Sequence, residues 1–336
     1  MTDLPMVSAA MPCRNERRHI EQSVRSVLAS DYPPHRLSLL VLDGMSDDGT
    51  RQILDELAEQ DGRVRIVDNP DLLPAPAMNL AIEAARGEVF LRMDAHTIYP
   101  PDYVRRCVEV LLETDAGNVG GLWETSPGAD TPTAAAIAYA LGHRFGVGSA
   151  LYRTGVPDRR EVDTVPFGCW RLTTLKRLGG FATDLPYAED DELNARLRAR
   201  GGRIVLDPTI RSRYIARPTL RTLALQMFRY GRFKPCTSAR IGRLVSWRQI
   251  VPPAFVAVLG LSVLVGTIFP PALLLAVAAL LAHLAVGSLV GFGAPAPLPA
   301  LAKVQVPLVL LTMHIAYGLG YLLGMFAVAR GGTSAG

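Results

Sequence analysis

The chain has 336 residues, and its 35 Lys or Arg and 31 Asp or Glu give a net charge of +4 at pH 7. A charge this close to balance argues against a nucleic-acid partner. No acidic residue follows Asp207, and Lys303 and Arg330 are the only charged residues after Arg248. Because a water-exposed surface carries charges throughout, this distribution argues against a wholly soluble protein and predicts a soluble part followed by a membrane part.

Strand and helix patterns alternate over the first hundred residues. Short apolar runs predict strands, and runs with apolar residues three and four positions apart predict helices. This alternation is typical of an α/β fold with a mostly parallel, Rossmann-like sheet covered on both faces. The predicted strands are 6–12, 37–43, 63–69 and 88–94, and the predicted helices are 17–30, 48–60 and 75–85.

Polar loops follow three of these strands: "PCRNE" at 12–16, "DGMSDDGT" at 43–50 and "DAH" at 94–96. Ligands of such sheets bind beyond the carboxyl ends of the strands, so we expect these loops to share a site. Turn and capping chemistry would explain any one loop alone. Neither G-x-G-x-x-G nor a P-loop motif is present, so the sequence indicates neither a dinucleotide-binding fold nor a P-loop.

Asp94 and His96 are the predicted metal ligands. Mg²⁺ or Mn²⁺ typically takes one or two protein ligands together with phosphate oxygens. An imidazole suits Mn²⁺ better than Mg²⁺. If the ligand is a nucleotide diphosphate, a cation held here would neutralise the charge of the departing diphosphate.

An acidic run, Glu189 to Glu192, opens a predicted helix. A solvated acidic first turn is the simpler interpretation, since the helix dipole favours it. Four consecutive acids exceed what capping requires, and their repulsion should raise at least one pKa. A carboxylate with a raised pKa suits the removal of a proton from an acceptor hydroxyl.

Three apolar blocks, 250–269, 272–292 and 304–329, each match the roughly 20 residues that a spanning helix needs. An apolar soluble core is the alternative for these blocks. Ten basic residues and no acidic one lie between Pro208 and Arg248. Positive flanks stay cytoplasmic, which predicts a multi-pass plasma-membrane protein with a cytoplasmic catalytic domain. We therefore expect a catalytic domain at 1–216, a basic interfacial segment at 217–248 and a membrane domain at 249–336.

These motifs, in this order, resemble the family-2, GT-A-fold glycosyltransferases. The resemblance runs over about residues 5 to 235 and adds "GGF…AEDDELNARLRARGGRI" and "QMFRYGR" to the three loops. Within the family it is greatest to the succinoglycan-type glucosyltransferases of exopolysaccharide synthesis, with "DAH", "FGVG" and "VDTVPFG". The resemblance implies a GT-A catalytic domain followed by transmembrane helices.

The resemblance also implies roles for single residues. Asp43 matches the nucleobase-binding aspartate, and Asp190 matches the catalytic base. His96 replaces the second aspartate of the DxD motif, and Tyr230 replaces the usual tryptophan of the late motif, which leaves metal preference and acceptor stacking open. The candidate site residues, from these matches and from the acidic run, are, for the nucleotide sugar, Pro12, Arg14, Glu16, Asp43 and Asp94; for the metal, Asp94 and His96; and for the acceptor or diphosphate side, Glu189, Asp191, Glu192, Gln226, Arg229 and Tyr230.

The implied function is inverting transfer of a sugar, with glucose from UDP-glucose as the expected donor, to a polyprenyl-diphosphate-linked saccharide. Membrane lipids and a divalent cation are the further expected partners, and a second copy or an assembly partner stays open. A processive polysaccharide synthase and a transferase acting on polyprenyl phosphate itself are enzyme alternatives. The alternative from another class is a membrane-anchored scaffold that binds sugar nucleotides without catalysis.

Overall fold

The computed structural model describes residues 4–185, 188–242 and 247–330. Its chain divides into two compact units. The N-terminal unit comprises Met1–Glu124 and Gly155–Tyr214, and the C-terminal unit comprises Thr125–Thr154 and Ile215–Gly336. The basic residue Arg243, which belongs to the predicted interfacial segment, lies outside the described residues.

The strands of the described residues form one sheet. They are β1 Val7–Cys13, β2 Leu37–Asp43, β3 Val64–Asp68, β4 Val89–Arg92, β5 Thr97–Ile98, β6 Asn118–Ser126, β7 Arg160–Glu161, β8 Cys169–Arg171 and β9 Ile204–Ile215.

Helices connect these strands and form the C-terminal part of the chain. They are α1 Ile20–Leu28, α2 Thr50–Gln60, α3 Pro74–Ala84, α4 Tyr103–Thr114, α5 Pro132–Gly142, α6 Arg144–Val147, α7 Leu151–Thr154, α8 Leu172–Leu178, α9 Glu189–Ala199, α10 Leu220–Ile241, α11 Val251–Gly266, α12 Ala272–Phe292 and α13 Ala300–Ala329. Pro34–Arg36 and Trp247–Ile250 form short 3-10 helices.

The sheet is parallel in one half and antiparallel in the other. Its order is β3-β2-β1-β4-β8-β6-β9-β5, with β7 paired to β9. The four strands predicted from the sequence, β1 to β4, run parallel to their neighbours within the group, whereas β8 joins β4 in the antiparallel sense. The α/β class expected from the sequence therefore holds, with a mixed sheet.

Hydrophobic burial explains why the parallel half forms. β1 and β2 are almost continuously apolar, and nearly all of their residues are buried, as expected for strands covered on both faces. On α1, Ile20, Val24 and Val27 are fully buried at helical spacing, while the opposite face carries charges. The core lies between such helices and the sheet, which leaves the strand ends and their loops at the surface.

The C-terminal unit contains three helices that are long and apolar enough to cross a membrane: Arg248–Gly266, Ala272–Phe292 and Ala300–Ala329. They overlap the three blocks predicted from the sequence. Many of their large apolar side chains are exposed, Leu274 by 70% and Leu289 by 75%, as expected for surfaces that face lipid.

Glycines bring the last span, α13, into close contact with the preceding helix α10. A Cβ on Gly324 of α13 would lie 2.1 Å from the carbonyl oxygen of Arg232 on α10, and one on Gly231 of α10 would lie 2.1 Å from the carbonyl oxygen of Tyr317. Small residues let membrane helices pack backbone to backbone. The apolar helix α5 belongs to the same unit, where the Tyr139 hydroxyl donates to the Val290 carbonyl at 3.2 Å.

Candidate active site

Strand register brings the polar loops to one edge of the sheet. Cys13 at the end of β1 pairs with Asp43 at the end of β2, and Ala10 pairs with Arg92 at the end of β4. The backbone N–H of Met93 then donates to the Ala10 carbonyl at 2.8 Å. The loops that contain Glu16, Asp43 and Asp94 therefore start from adjacent strands at the same edge of the sheet.

Hydrogen bonds join the first two loops to each other. The side chains of Asn15 and Asp47 are bonded at 2.9 Å, and the Asp47 N–H donates back to the Asn15 amide oxygen at 3.0 Å. The Glu16 N–H donates to the Thr50 hydroxyl at 2.9 Å. Polar residues more than thirty positions apart in the sequence are thus joined by hydrogen bonds. The two loops, 12–16 and 43–50, form what we call the rim of the site.

His96 links the third loop to the first. Its Nδ1 lies 3.2 Å from a carboxylate oxygen of Glu16, and its Nε2 lies 3.3 Å from a carboxylate oxygen of Asp94. Burial alone would lower the pKa of His96, but the charges of Asp94 and Glu16 outweigh burial and raise it to about 9. Between these two carboxylates the imidazole is therefore protonated at neutral pH.

The pair Asp94 and His96 fits a divalent cation. Two ligand atoms about 2.1 Å from an octahedral ion lie about 3 Å apart. The Asp94 oxygen and His96 Nε2 are separated by 3.3 Å, and a cation there would replace the proton of the imidazole. Among the described residues no group of three or more His, Cys, Asp and Glu side chains is arranged to hold a metal.

The residues predicted to bind the nucleotide differ in exposure. Asp43 is 1% exposed, and one of its carboxylate oxygens accepts hydrogen bonds from the N–H and hydroxyl of Ser46, at 3.2 and 2.6 Å. Its other oxygen lies 3.6 Å from Arg51. Pro12 is half-buried and Arg14 is exposed, so the rim offers an exposed cation beside a carboxylate fixed in place.

The acidic run begins α9, and its first two members meet Arg92. The Arg92 guanidinium pairs with Glu189 at 2.9 Å and with Asp190 in a short hydrogen bond. Burial raises the pKa of Asp190, Arg92 lowers it, and Glu189 and Asp191 raise it again, with a net value of about 7. Repulsion was the predicted cause of a raised pKa, whereas burial contributes most.

The other two acids of the run have different surroundings. Glu192 is buried and pairs with Arg196, one turn further along α9, at 2.6 Å. Arg196 also donates to the carbonyl oxygens of Leu178 and Gly180, which fastens the helix to the preceding loop. Asp191 is half-buried next to Asp190. Glu192 thus has a structural partner, while Glu189 and Asp190 share the arginine of β4.

Backbone strain concentrates in these loops. Six non-glycine residues in the described part of the chain have positive φ, and four of them lie in motifs singled out from the sequence: Asn15 at 55°, Met45 at 54°, Phe167 at 60° and Ala188 at 64°. Such conformations persist only where the surroundings over-determine them, and they cluster at functional sites. Ala188 immediately precedes the acidic run, so its left-handed backbone directs the start of α9.

The predicted acceptor-side residues Gln226, Arg229 and Tyr230 lie on α10 in the C-terminal unit. The Gln226 amide donates to the Tyr230 hydroxyl at 3.2 Å, and the Arg229 and Tyr230 side chains are exposed. The residues on the rim and on α9, by contrast, belong to the N-terminal unit.

Sequence reasoning missed Arg92 and an aromatic cluster. Arg92 is the single charge in the apolar run "VFLRM", a signal that a motif search passes over. Trp123 stacks on Tyr214 with ring centroids 4.5 Å apart, and Tyr214 meets His96 edge-on at 5.8 Å. These aromatics, from β6 and β9, form a wall beside the predicted metal ligands.

Comparison with known proteins agrees with this architecture. The model of glycosyl transferase family 2 matches residues 8–173. The succinoglycan biosynthesis protein ExoA of Rhizobium meliloti (strain 1021) is 33% identical over 246 residues, which are 73% of this chain and 73% of that protein. The chain therefore belongs to glycosyl transferase family 2, and its catalytic fold is GT-A.

Two further similarities extend over most of the chain. A dolichyl N-acetyl-alpha-D-glucosaminyl phosphate 3-beta-D-2,3-diacetamido-2,3-dideoxy-beta-D-glucuronosyltransferase of Methanococcus voltae is 24% identical over 236 residues, 68% of this chain and 72% of that protein. The mannosyltransferase PcManGT from Pyrobaculum calidifontis, solved in complex with GDP-Man and Mn²⁺, has a TM-score of 0.57 at 20% identity. The matched region is 93% of this chain and 86% of the PcManGT chain. This likeness concerns the fold.

Proposed function

We propose that this glycosyltransferase transfers a hexose, with inversion, from a UDP-sugar to a lipid-linked saccharide at the membrane. The observation that carries the proposal is that the loop of Asp94 and the base candidate Asp190 are linked through one residue, Arg92, at the end of β4. A diphosphate site and a proton acceptor thereby lie at one edge of the sheet, as a single displacement requires.

Asp190 is the group that takes the proton. The acceptor hydroxyl gives its proton to the Asp190 carboxylate, and its oxygen forms a bond to the anomeric carbon of the donor. The bond from that carbon to the diphosphate breaks, and its electron pair leaves with UDP. A pKa of about 7 keeps a useful fraction of Asp190 ionised while making it a stronger base than an ordinary carboxylate.

Asp94 and His96 are the residues that would hold a divalent cation, preferably Mn²⁺. Such an ion would supply positive charge against the diphosphate as negative charge develops there. Glu16, which contacts His96 from the first loop, fixes the orientation of the imidazole. Asp43 would accept from the nucleobase, and Arg14 is placed to contact the nucleotide. The Mn²⁺ bound by the structural neighbour PcManGT is consistent with this proposal.

A lipid-linked acceptor is supported by the membrane helices and by the relatives. Three candidate spans would place the chain at the bilayer, where the saccharide of a polyprenyl diphosphate lies at headgroup level. ExoA acts in succinoglycan biosynthesis, and the Methanococcus relative is named for a dolichyl phosphate-linked sugar. We place Gln226, Arg229 and Tyr230 on the acceptor side, with the catalytic domain cytoplasmic because of the basic segment before the first span.

The test uses membranes that contain the full chain, UDP-glucose, Mn²⁺ and a polyprenyl-diphosphate disaccharide. UDP release coupled to extension of the lipid by one β-linked sugar is the expected result. Asp190→Asn should lower the rate on the order of 10²- to 10⁴-fold, the usual contribution of a general base. Undiminished transfer by Asp190→Asn would refute the assignment of the base.

The nature of the product separates the alternatives. A long polymer would indicate a processive synthase, and extension of polyprenyl monophosphate would indicate the simpler acceptor. UDP-glucose binding without turnover by the wild-type protein, with each acceptor supplied, would indicate a scaffold. A screen of GDP-mannose and UDP-N-acetylglucosamine under the same conditions identifies the donor if UDP-glucose is not used.

A further inference from the structure

Arg92 occupies a position where an arginine is costly. It ends β4, whose other residues Val89, Phe90 and Leu91 are buried, and its own side chain is only 13% exposed. Removing a charge from water is unfavourable unless it is paired and hydrogen-bonded. The partners that offset this cost are Glu189 and Asp190, nearly a hundred residues further along the chain.

The geometry of the contact is that of one guanidinium between two carboxylates. Nη2 of Arg92 faces Glu189 and Nη1 faces Asp190. Two adjacent carboxylates repel each other, and a planar fork with separate donors holds both in fixed positions. A lysine ammonium would supply the charge without this geometry.

We propose that Arg92 is the positioning residue of the base. It holds the carboxylate of Asp190 beside that of Glu189, and it connects the start of α9 to the strand that leads into the Asp94 loop. This inference rests on the proposed function, in which Asp190 accepts the proton. Arg92 itself transfers no proton and forms no bond to substrate in this role.

The electrostatic consequence concerns the protonation of Asp190. Arg92 is the cation that faces this carboxylate, whereas Glu189 and Asp191 face it as anions, and Arg92 in turn also faces Asp94. Burial and the two anions raise the pKa of Asp190, and Arg92 opposes them. Without Arg92 the pKa would move further upward, so the base would be protonated at neutral pH.

The α9 helix offers a matched control. Arg196 also pairs with an acid of the run, Glu192, and it is 25% exposed. It also anchors the helix, through the carbonyl oxygens of Leu178 and Gly180. The described contacts of Arg196 do not include Asp190, so Arg196→Gln disturbs α9 without removing the counter-ion of the base.

The experiment measures kcat and donor KM from pH 5.5 to 9.5 for the wild type, Arg92→Gln, Arg92→Lys and Arg196→Gln, in membranes with the donor that the wild type uses. For Arg92→Gln we expect the acid limb of kcat to move up by about one pH unit, with a loss of about fivefold at pH 7 that is largely regained near pH 9.5. Donor KM should change little. Arg92→Lys should keep the midpoint but lower kcat at every pH, and Arg196→Gln should keep the wild-type midpoint.

A profile of Arg92→Gln that is lower by one factor at all pH values, with the wild-type midpoint, would show a merely structural role and overturn the inference. If Arg92→Gln does not fold, Arg92→Lys decides, because wild-type kcat in that variant would show that the fork is unnecessary. Asp190→Asn in the same series separates the two hypotheses. Full activity in Asp190→Asn would refute the base itself, whereas an inactive Asp190→Asn with an unshifted Arg92→Gln would refute only the role of Arg92.

Discussion

Each of the two units of the chain is stabilised internally by a different kind of interaction. In the N-terminal unit an apolar sheet carries at one edge a network of charges, in which Glu16, Asp94 and His96 meet and Arg92 joins Asp190. In the C-terminal unit the helices meet through glycines, and the large apolar side chains point outward. The difference teaches that one chain is adapted to two solvents. Charged pairs fix the geometry of the edge that faces water, and close packing of small residues fixes the contacts between helices that face lipid.

Apart from the base candidate Asp190, the largest effect on the charged edge should come from the predicted metal ligand. We expect Asp94→Asn to lower transfer on the order of 100-fold and to raise the Mn²⁺ concentration needed for half-maximal rate, because the ion would lose its carboxylate. Steady-state assays over a Mn²⁺ titration measure both effects. Asp55→Asn is the control, since it removes a carboxylate from an exposed ion pair of α2. An unchanged Mn²⁺ requirement in Asp94→Asn would contradict the assignment.

The glycine contacts predict a loss of stability in the C-terminal unit. In Gly324→Ala the new methyl group would collide with the Arg232 carbonyl of α10, so we expect a loss of about 1–3 kcal/mol. The control is Gly260→Ala on α11, where a Cβ would meet no atom within 4 Å. That change should be neutral or stabilising by up to about 1 kcal/mol, because alanine favours helix. Thermal unfolding in one detergent compares the two, and equal losses would contradict the close packing.

The pH dependence of stability tests the charged edge without an assay. The pKa of Asp190 is raised to about 7 in the folded chain, from an ordinary value of 3.8. The folded state therefore binds more protons than the unfolded state between these values, and this group makes stability fall as pH rises from about 4 to about 7. The contribution is at most about 1.4 kcal/mol per pH unit. Asp190→Asn should flatten the slope of unfolding temperature against pH in that window, and an equally steep slope would exclude the raised pKa.

The sequence allowed the parallel half of the sheet and the three spans to be predicted because their patterns are local. Hydrophobic runs of five to seven residues define β1, β2 and β3, and long uncharged blocks define the spans. The antiparallel half was not predicted, because β5 and β7 have two residues each and too little length for periodicity. Their pairing depends on β9, which is more than a hundred residues from β5.

The candidate site was predictable as a set of loops but not as a set of contacts. The order of strands in a parallel sheet implied that Glu16 and Asp94 would lie at one edge. The pairing of Arg92 with Asp190 joins positions 98 apart, and nothing in the local pattern encodes it. Tertiary burial, which no short window of sequence reports, decides this pairing.

The smallest effect on stability is expected from a hydrogen bond between two histidines on neighbouring spans. Nε2 of His283 on α12 lies 2.8 Å from Nδ1 of His314 on α13, and the ring of Phe255 stacks on His283 at 5.0 Å. Side-chain hydrogen bonds between membrane helices contribute about 0.6 kcal/mol on average, because the separated helices also find partners. A double-mutant cycle of His283→Ala and His314→Ala, read by unfolding in lipid-like detergent, should therefore give a coupling energy of about that size. A coupling of several kcal/mol would mean that charge or hydrogen bonding organises the C-terminal unit in addition to glycine packing. The contrast between the two units would then fail.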